Sequence, residues 1–290
     1  MPLRGRGRQG QSAERKMITN VHEGCPLPSI HQYPFVLTAY RPLQYSALSC
    51  VKSVLQLHNE TVNIWSHILG VLIFIRLAMY TAAMPIGYAR TNIFAFCVGA
   101  ILCFSLSTVY HIFKEHSTAW ARNLSAADWV GVCILIASSH VLIAYNELTS
   151  HPLVLFVFLA LIAISGLGTA LILVSTIFVP QGPASSSSQA EYIFRTLICV
   201  LFALLGLVIW VVHGFLANFD DPSLWLTINF LLRMYAFHAA AVFGVVGVPE
   251  RWRVGTFDIL GASHQLMHIG VVLGAGTLWR GSYDFHFTSL

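Results

Sequence analysis

Two histidines close to the C-terminus, His264 and His268, have the spacing of metal ligands. Residues four apart on a helix lie on the same face, so both imidazole rings can reach one point beside the helix. Because two histidines often fall at this spacing by chance, the pair alone does not define a site. A metal site here requires a third ligand at the same depth.

His111 is the candidate third ligand, and Asp128 follows it in the chain. Three neutral imidazoles with an open fourth position are a ligand set of catalytic zinc, where the pKa of water falls to about 7. Asp128 would orient or deprotonate that water. Ser107 lies four residues before His111 and would bond to its ring or to the water. The competing interpretation is that Asp128 or Ser125 caps or opens a helix.

The composition is that of a multi-pass membrane protein. Of the 290 residues, 56% are hydrophobic and only 10% are charged, whereas soluble domains carry about 25% charged residues. The formal net charge of +4 lies mostly before the first apolar stretch. This basic arm lacks an aromatic or helical nucleic-acid-binding pattern, so we interpret it as a topology signal and expect no nucleic acid partner.

Seven apolar stretches reach the length of about 20 residues that crosses a bilayer. Their approximate limits are Val62–Tyr80, Ile93–Phe113, Ala127–Tyr145, Pro152–Val179, Ile193–Leu216, Leu224–Val248 and Ile259–Trp279. We predict an all-α bundle of seven transmembrane helices over residues 58–290. A disordered basic tail at 1–32 and an interfacial helical segment at 33–57 precede it.

The number of spans brings the candidate site residues together. With seven spans, the end of the second and the starts of the third and seventh lie on one side of the membrane. This parity places His111, Asp128, His264 and His268 at a similar depth, whatever the absolute orientation.

Positive charges predict that orientation. With a cytoplasmic N-terminus, eleven Lys and Arg residues face the cytoplasm and only Arg90 and Arg280 face the opposite side. We therefore expect a cytoplasmic N-terminus and a C-terminus on the opposite side. G-protein-coupled receptors have the reverse topology. The chain also lacks their Asp-Arg-Tyr and Asn-Pro-x-x-Tyr motifs.

The remaining polar residues in the spans suggest structural roles. We expect none of the twelve acidic residues at mid-bilayer, which argues against a proton-coupled transporter. Glu60, Asn63 and His67 form a polar stripe entering the first span. For this stripe we favour a hydrogen-bond network between helices, with support of the metal site as the alternative. We expect three further histidines to be packing residues with satisfied hydrogen bonds: His140, His213 and His238.

Several motifs resemble those of the progestin and adipoQ receptor (PAQR) family, which is related to bacterial haemolysin III-like proteins. The resemblance covers about residues 35–280. The matching stretches are Tyr40-Arg41-Pro42, residues 58–67 (HNETVNIWSH), 107–111 (STVYH), 127–131 (ADWVG), 249–258 (PERWRVGTFD) and 263–268 (SHQLMH). His238 and the serine-rich loop at 185–188 match no family motif.

The resemblance implies a seven-helix bundle with a zinc ion near the cytoplasmic face. The family's zinc histidines map onto His111, His264 and His268, its serine onto Ser107, and its water-contacting aspartate onto Asp128. Family members are described as receptors for adipokines or progestogens and as ceramidases.

Two hypotheses follow, from different functional classes. The first is a zinc-dependent hydrolase of lipid amides, with ceramide as substrate and sphingosine and a fatty acid as products, coupled to receptor signalling. The second is a non-catalytic receptor or scaffold for a hormone, steroid or protein ligand, in which zinc only ties the helices together. Either would be an integral protein of the plasma membrane, Golgi or endoplasmic reticulum.

Overall fold

The computed structural model describes residues 32–178, 187–217, 219, 222–239 and 246–287. Within these ranges the chain forms nine α-helices and no extended β-strand. The helices are α1 (Ala47–Ser53), α2 (Thr61–Ala82), α3 (Tyr88–Phe113), α4 (Thr118–Leu148), α5 (Pro152–Phe178), α6 (Ser187–Ala203), α7 (Leu205–Leu216), α8 (Pro222–His238) and α9 (Ser263–Phe287). The all-α prediction is confirmed for this part of the chain.

Five stretches of helix are long and apolar enough to cross a membrane. They are α2, α3, α4, α5 and a combined stretch, Tyr192–Leu216. The combined stretch joins α6 and α7 across Leu204, where the Leu207 N–H donates to the Leu204 carbonyl at 3.0 Å. These five overlap the first five predicted spans, and they define an integral, multi-pass membrane protein.

The last two predicted spans correspond to α8 and α9. Helix α8 covers the first part of the predicted Leu224–Val248, and residues 240–245 lie outside the described ranges. Helix α9 begins four residues after the predicted Ile259 and continues beyond Trp279 to Phe287. The basic tail lies outside the described residues except for Gln32. The serine-rich loop is described only where Ser187 and Ser188 begin α6.

Helix α5 shows how the bundle meets its surroundings. Most of its exposed side chains are large and apolar, and they include Leu153, Phe156, Ile164, Leu167 and Leu171. An apolar surface of this extent suits contact with lipid tails. The opposite face of α5 packs on α4, which also contacts α3 and α7.

Glycines allow the helices around the candidate site to approach closely. A Cβ at Gly70 of α2 would lie 2.9 Å from Val272 of α9 and 3.0 Å from Phe104 of α3. A Cβ at Gly131 of α4 would lie 3.1 Å from the Cα atom of Cys103. Small residues at such positions are the usual means of tight helix packing in membranes. Helices α2, α3, α4 and α9 therefore converge around one region.

The predicted interfacial helix over 33–57 is wrong for most of its length, because only Ala47–Ser53 is helical. Residues 32–46, here called the N-terminal segment, fold back over the bundle and bury Tyr40 completely. Phe35, Ala39 and Tyr45 adopt positive φ angles of 66°, 64° and 50°, which a helix does not contain. Buried hydrogen bonds to residues distant in the sequence hold this conformation.

Candidate metal centre

Three histidines from two helices form a cluster, here called the histidine triad. His111 lies in the last turn of α3, and His264 and His268 lie in the first two turns of α9. One ligand atom from each residue lies within 4.8 Å of the others. The ring centroid of His111 is 5.4 Å from that of His264 and 4.7 Å from that of His268. The structure therefore brings together the histidines that the sequence singled out.

The triad offers donors of the type that zinc prefers. His111 Nε2, His264 Nε2 and His268 Nδ1 are buried and have no hydrogen-bond partner. A buried nitrogen without a partner is costly, and three of them around one point are rare without a ligand. Three imidazole nitrogens match a catalytic zinc site that keeps one position open. The residues thus fit a zinc ion, and its binding remains a proposal.

Glu60 holds the His111 ring from behind. Its Oε2 atom lies 2.8 Å from His111 Nδ1, while Oε1 accepts a hydrogen bond from Lys114 Nζ at 2.7 Å. Asn63 Nδ2 donates to Oε2 at 2.7 Å. With Nδ1–H bonded to a carboxylate, the His111 Nε2 atom is left as the metal-facing donor. Two roles were considered for the polar stripe that includes Glu60: a hydrogen-bond network between helices and support of the metal site. The contacts of Glu60 fit both, because it links α2 to α3 and also orients a candidate ligand.

The charges around Glu60 keep it ionised. Burial raises the pKa of its carboxyl, but Lys114 and His111 outweigh burial, and the net pKa is well below the usual range. Burial likewise lowers the pKa of Lys114, and Glu60 reverses that effect, so the ammonium stays charged. The two side chains are almost completely buried. They form a compensated ion pair beside the triad.

Asp128 and Ser107 lie together next to the triad. Ser107 is buried one turn before His111 on α3, and its hydroxyl interacts with the carboxyl of Asp128 on α4. The same carboxyl also lies within electrostatic range of His111. Helix α4 begins at Thr118 and is capped by Ser117, whose hydroxyl accepts from Trp120 N. The capping interpretation of Asp128 and Ser125 is therefore wrong, since both lie well inside the helix.

A network of hydrogen bonds fixes the start of α9. The Glu250 carboxylate accepts hydrogen bonds from the main-chain N–H of Ser263, at 2.8 Å, and from its hydroxyl. Gln265 Nε2 donates to the carbonyls of Asn59 at 3.2 Å and Ile259 at 2.9 Å. The Glu250 bonds satisfy donors at the helix terminus, and the Gln265 bonds tie the first turn to the chain before α2 and before α9. Together they set the position from which His264 and His268 project. No pattern in the sequence had indicated this role for Glu250.

The N-terminal segment covers the triad on the side of the helix ends. The Tyr33 ring lies 5.3 Å from the His264 ring, measured between centroids. Lys114 Nζ lies 4.3 Å from the Tyr33 ring centroid and donates to its hydroxyl at 3.2 Å. Tyr33 therefore contacts one candidate ligand and the ion pair that supports another.

Two buried charged residues anchor this segment. Asp258 Oδ2 accepts from the main-chain N–H groups of Leu37 and Thr38, at 3.2 and 2.7 Å, and from the Thr38 hydroxyl at 2.6 Å. Arg41 Nη2 donates at 2.7 Å both to Glu115 and to the main-chain carbonyl of His111. A candidate metal ligand is thus tied directly to the N-terminal segment.

The three predicted packing histidines lie outside the triad and bond elsewhere. His140 Nε2 is 3.1 Å from the carbonyl of Ala203, and His238 Nδ1 is 2.7 Å from that of Met234. His213 Nδ1 lies 2.5 Å from Glu147. Glu147 is buried in the last turn of α4, at the end away from the triad. The sequence pattern did not reveal this pair, because α4 runs three residues beyond the predicted Tyr145.

Together, the fold and the site define a class of protein: an α-helical, multi-pass membrane protein with a buried histidine cluster at one end of its bundle. The family model described as "Haemolysin-III related" matches residues 55–279. The chain belongs to this family, which includes the PAQR proteins that its motifs resemble.

Curated relatives with receptor and heptahelical names support this assignment. The chain is 31% identical to the adiponectin receptor protein of Drosophila melanogaster, covering 85% of this chain and 55% of the fly protein. It is 30% identical to heptahelical transmembrane protein 1 of Arabidopsis thaliana, covering 87% and 76%. Progestin and adipoQ receptor family member 3 of Homo sapiens is 29% identical, with 84% and 79% covered. The chain thus spans little more than half the length of the fly relative.

Proposed function

We propose that this protein is a zinc-dependent hydrolase of a membrane lipid amide, with ceramide as the substrate class. The observation that carries the proposal is the convergence of three imidazole nitrogens without protein partners. The carboxyl–hydroxyl pair of Asp128 and Ser107 next to them supports a catalytic rather than a purely structural site. Ionisable groups inside a membrane bundle are usually functional.

The reaction adds water across an amide bond: a C–O bond forms, the C–N bond breaks, and one proton moves to the amine nitrogen. Zinc, when bound to His111, His264 and His268, would polarise the carbonyl and lower the pKa of water. Asp128 accepts a proton from the attacking water and returns it to the leaving amine. Ser107 holds the Asp128 carboxyl in place, and Glu60 holds the His111 ring.

The proposal includes a membrane topology. Helices α8 and α9 complete a set of seven spans, with α6 and α7 forming one span together. The N-terminus is cytoplasmic and the C-terminus lies on the opposite side, because this orientation places most Lys and Arg residues in the cytoplasm. The triad then faces the cytoplasmic leaflet, and the acyl chain lies among the apolar helices.

A second candidate function is a non-catalytic receptor. The fly and human relatives are named as receptors. A receptor function requires zinc only as a link between α3 and α9. In that case, loss of zinc would loosen the bundle, and no lipid would be cleaved.

The experiment that separates the two functions is a product assay. Purified protein in lipid nanodiscs is incubated with ceramide, and sphingosine is measured by mass spectrometry. We expect sphingosine release by the wild type and none by His264→Ala, while His140→Ala, a buried histidine outside the triad, remains active. Equal release by the wild type and His264→Ala would refute the hydrolase.

A further inference from the structure

A fourth histidine adjoins the triad, although it is not part of the ligand set. The His67 ring of α2 stacks on the His268 ring with a centroid distance of 3.9 Å and an interplanar angle of 22°. The His67 ring is also tilted against the Phe104 ring, with the two centroids 5.0 Å apart. The close approach of α2 to α3 and α9 at Gly70, three residues further along α2, holds the ring in this place. His67 therefore has a fixed position against a candidate ligand.

Neither nitrogen of the His67 ring has a hydrogen-bond partner, and both are buried. The main chain of His268 lies close to the ring without a well-aligned bond. Three other buried histidines outside the triad, in the described part of the chain, each bond through at least one ring nitrogen: His58, His140 and His213. An imidazole with neither nitrogen bonded is costly to bury. The neutral His67 ring therefore has one hydrogen-bond donor and one acceptor available for a molecule bound at the triad.

The direction of the helices places His67 relative to the other candidate residues of the site. Helices α2 and α9 both begin at the triad end and run into the bundle, and His67 stacks on His268, the deeper of the two α9 ligands. Asp128 reaches the triad from α4, on another side of α3. His67 and Asp128 therefore reach the triad from different helices, which leaves the two side chains free for separate roles at one substrate.

From this geometry, and resting on the proposed hydrolase function, we propose that His67 is a further catalytic residue. A ring N–H of its neutral imidazole donates a hydrogen bond to the carbonyl oxygen of the bound amide. Negative charge grows on that oxygen during attack by water, so the hydrogen bond is stronger in the transition state than in the ground state. The stack on His268 aims the donor and prevents its rotation.

The test compares His67→Phe, which keeps a flat ring but has no donor, with His67→Gln, which restores an N–H. His140→Phe is the control for the loss of a buried imidazole elsewhere. We expect His67→Phe to retain zinc and to lose about 10²–10³-fold in kcat, with KM changed much less. His67→Gln should recover part of that loss, and His140→Phe should remain close to wild type.

A binding measurement makes the proposal independent of turnover. In cobalt-substituted protein, acetohydroxamate binding is followed by visible absorption, because its carbonyl occupies the place of the amide carbonyl. We expect about tenfold weaker binding in His67→Phe, the equivalent of one modest hydrogen bond. If the wild type binds acetohydroxamate in a His67-dependent manner but releases no sphingosine, the hydrolase fails and the His67 contact stands.

Three outcomes would overturn the assignment. The first is an unchanged kcat together with unchanged acetohydroxamate binding in His67→Phe. The second is loss of zinc from a folded His67→Phe or His67→Gln protein, which would make His67 a metal ligand. The third is equal loss in His67→Phe and His67→Gln without any change in acetohydroxamate affinity, which would indicate packing alone. If His67→Phe does not fold, His67→Gln decides between donor and ligand on the same measurements.

Discussion

Glu60 Oε2 lies 2.8 Å from Nδ1 of His111, and this contact joins the first residue before α2 to the last turn of α3. A carboxylate behind a ligating histidine fixes the ring and increases its basicity. We therefore expect Glu60 to affect the affinity of a metal ion at the proposed site without binding that ion itself.

The first prediction concerns Glu60→Gln. Loss of the negative charge behind His111 should weaken zinc binding about 10–100-fold, the usual effect of removing such a support. Competition with a fluorescent zinc chelator measures the affinity. Glu147→Gln is the matched control, because it also removes a buried carboxylate bonded to a histidine, but at the end away from the triad. Equal zinc affinity in Glu60→Gln and the wild type would contradict the supporting role.

The second prediction concerns Asp128→Asn. An amide cannot accept a proton, so turnover of ceramide should fall about 10²–10⁴-fold, while zinc content and helix content stay as in the wild type. Sphingosine release, metal analysis and circular dichroism give the three readings. Ser107→Ala should lose less activity, since it only removes a partner of the Asp128 carboxyl. A fully active Asp128→Asn protein would favour the receptor function.

The third prediction concerns acid stability through His58, a buried residue next to α2. Burial, followed by the nearby Arg41, lowers the pKa of His58 to about 4. Its Nδ1 atom accepts from the Glu60 main-chain N–H, and Nε2 faces the Ser53 carbonyl. The folded state therefore requires neutral His58, while the unfolded chain binds a proton below about pH 6.5.

The stabilising effect of neutral His58 is present above pH 6.5 and is lost as pH falls from 6.5 towards 4. Between pH 7 and pH 5 the expected loss is about 2 kcal/mol of the free energy of unfolding. Thermal unfolding in detergent at both pH values measures it. His58→Asn, which lacks a titrating group, should lose less stability over this range. An identical pH dependence in both proteins would contradict the assignment.

The fourth prediction concerns the Arg41 anchor. Arg41 is buried and donates to Ser53, Glu115 and the main-chain carbonyls of His111 and Ile112. Arg41→Met leaves Glu115 buried without its closest cation, so we expect a loss of about 3–5 kcal/mol of stability. Restoration of part of this loss by Glu115→Gln in the same chain would show that the unpaired charge is the cause.

The control for this anchor is Arg280→Ala. Arg280 also bonds to a carboxylate, Asp284, at 2.8 Å, but its side chain is exposed. Solvent screens such pairs, so this variant should unfold close to the wild-type temperature. Similar losses for Arg41→Met and Arg280→Ala would mean that burial of the Arg41 pair contributes nothing.

The sequence predicted the triad because its geometry depends on local rules. The spacing of His264 and His268 follows from helical periodicity, and the parity of the spans brings His111 to the same end. The contacts of Arg41 and Asp258 could not be derived in this way. They join residues separated by long stretches of chain, and no periodic pattern encodes them.

His67 shows a second limit of sequence reasoning in membranes. A soluble helix reveals its inward face by its apolar stripe, whereas a membrane helix is apolar towards both lipid and core. The rotation of α2 about its axis was therefore undetermined, and with it the direction of His67. The stripe of Glu60, Asn63 and His67 was the available signal, and the structure shows that it faces the triad.

The metal content of the purified protein tests the central claim most directly. Elemental mass spectrometry should find about one equivalent of zinc in the wild type. His111→Ala, His264→Ala and His268→Ala should each lose most of it, while His140→Ala should keep it. A wild-type protein without zinc, or triad variants that retain it in full, would contradict the account.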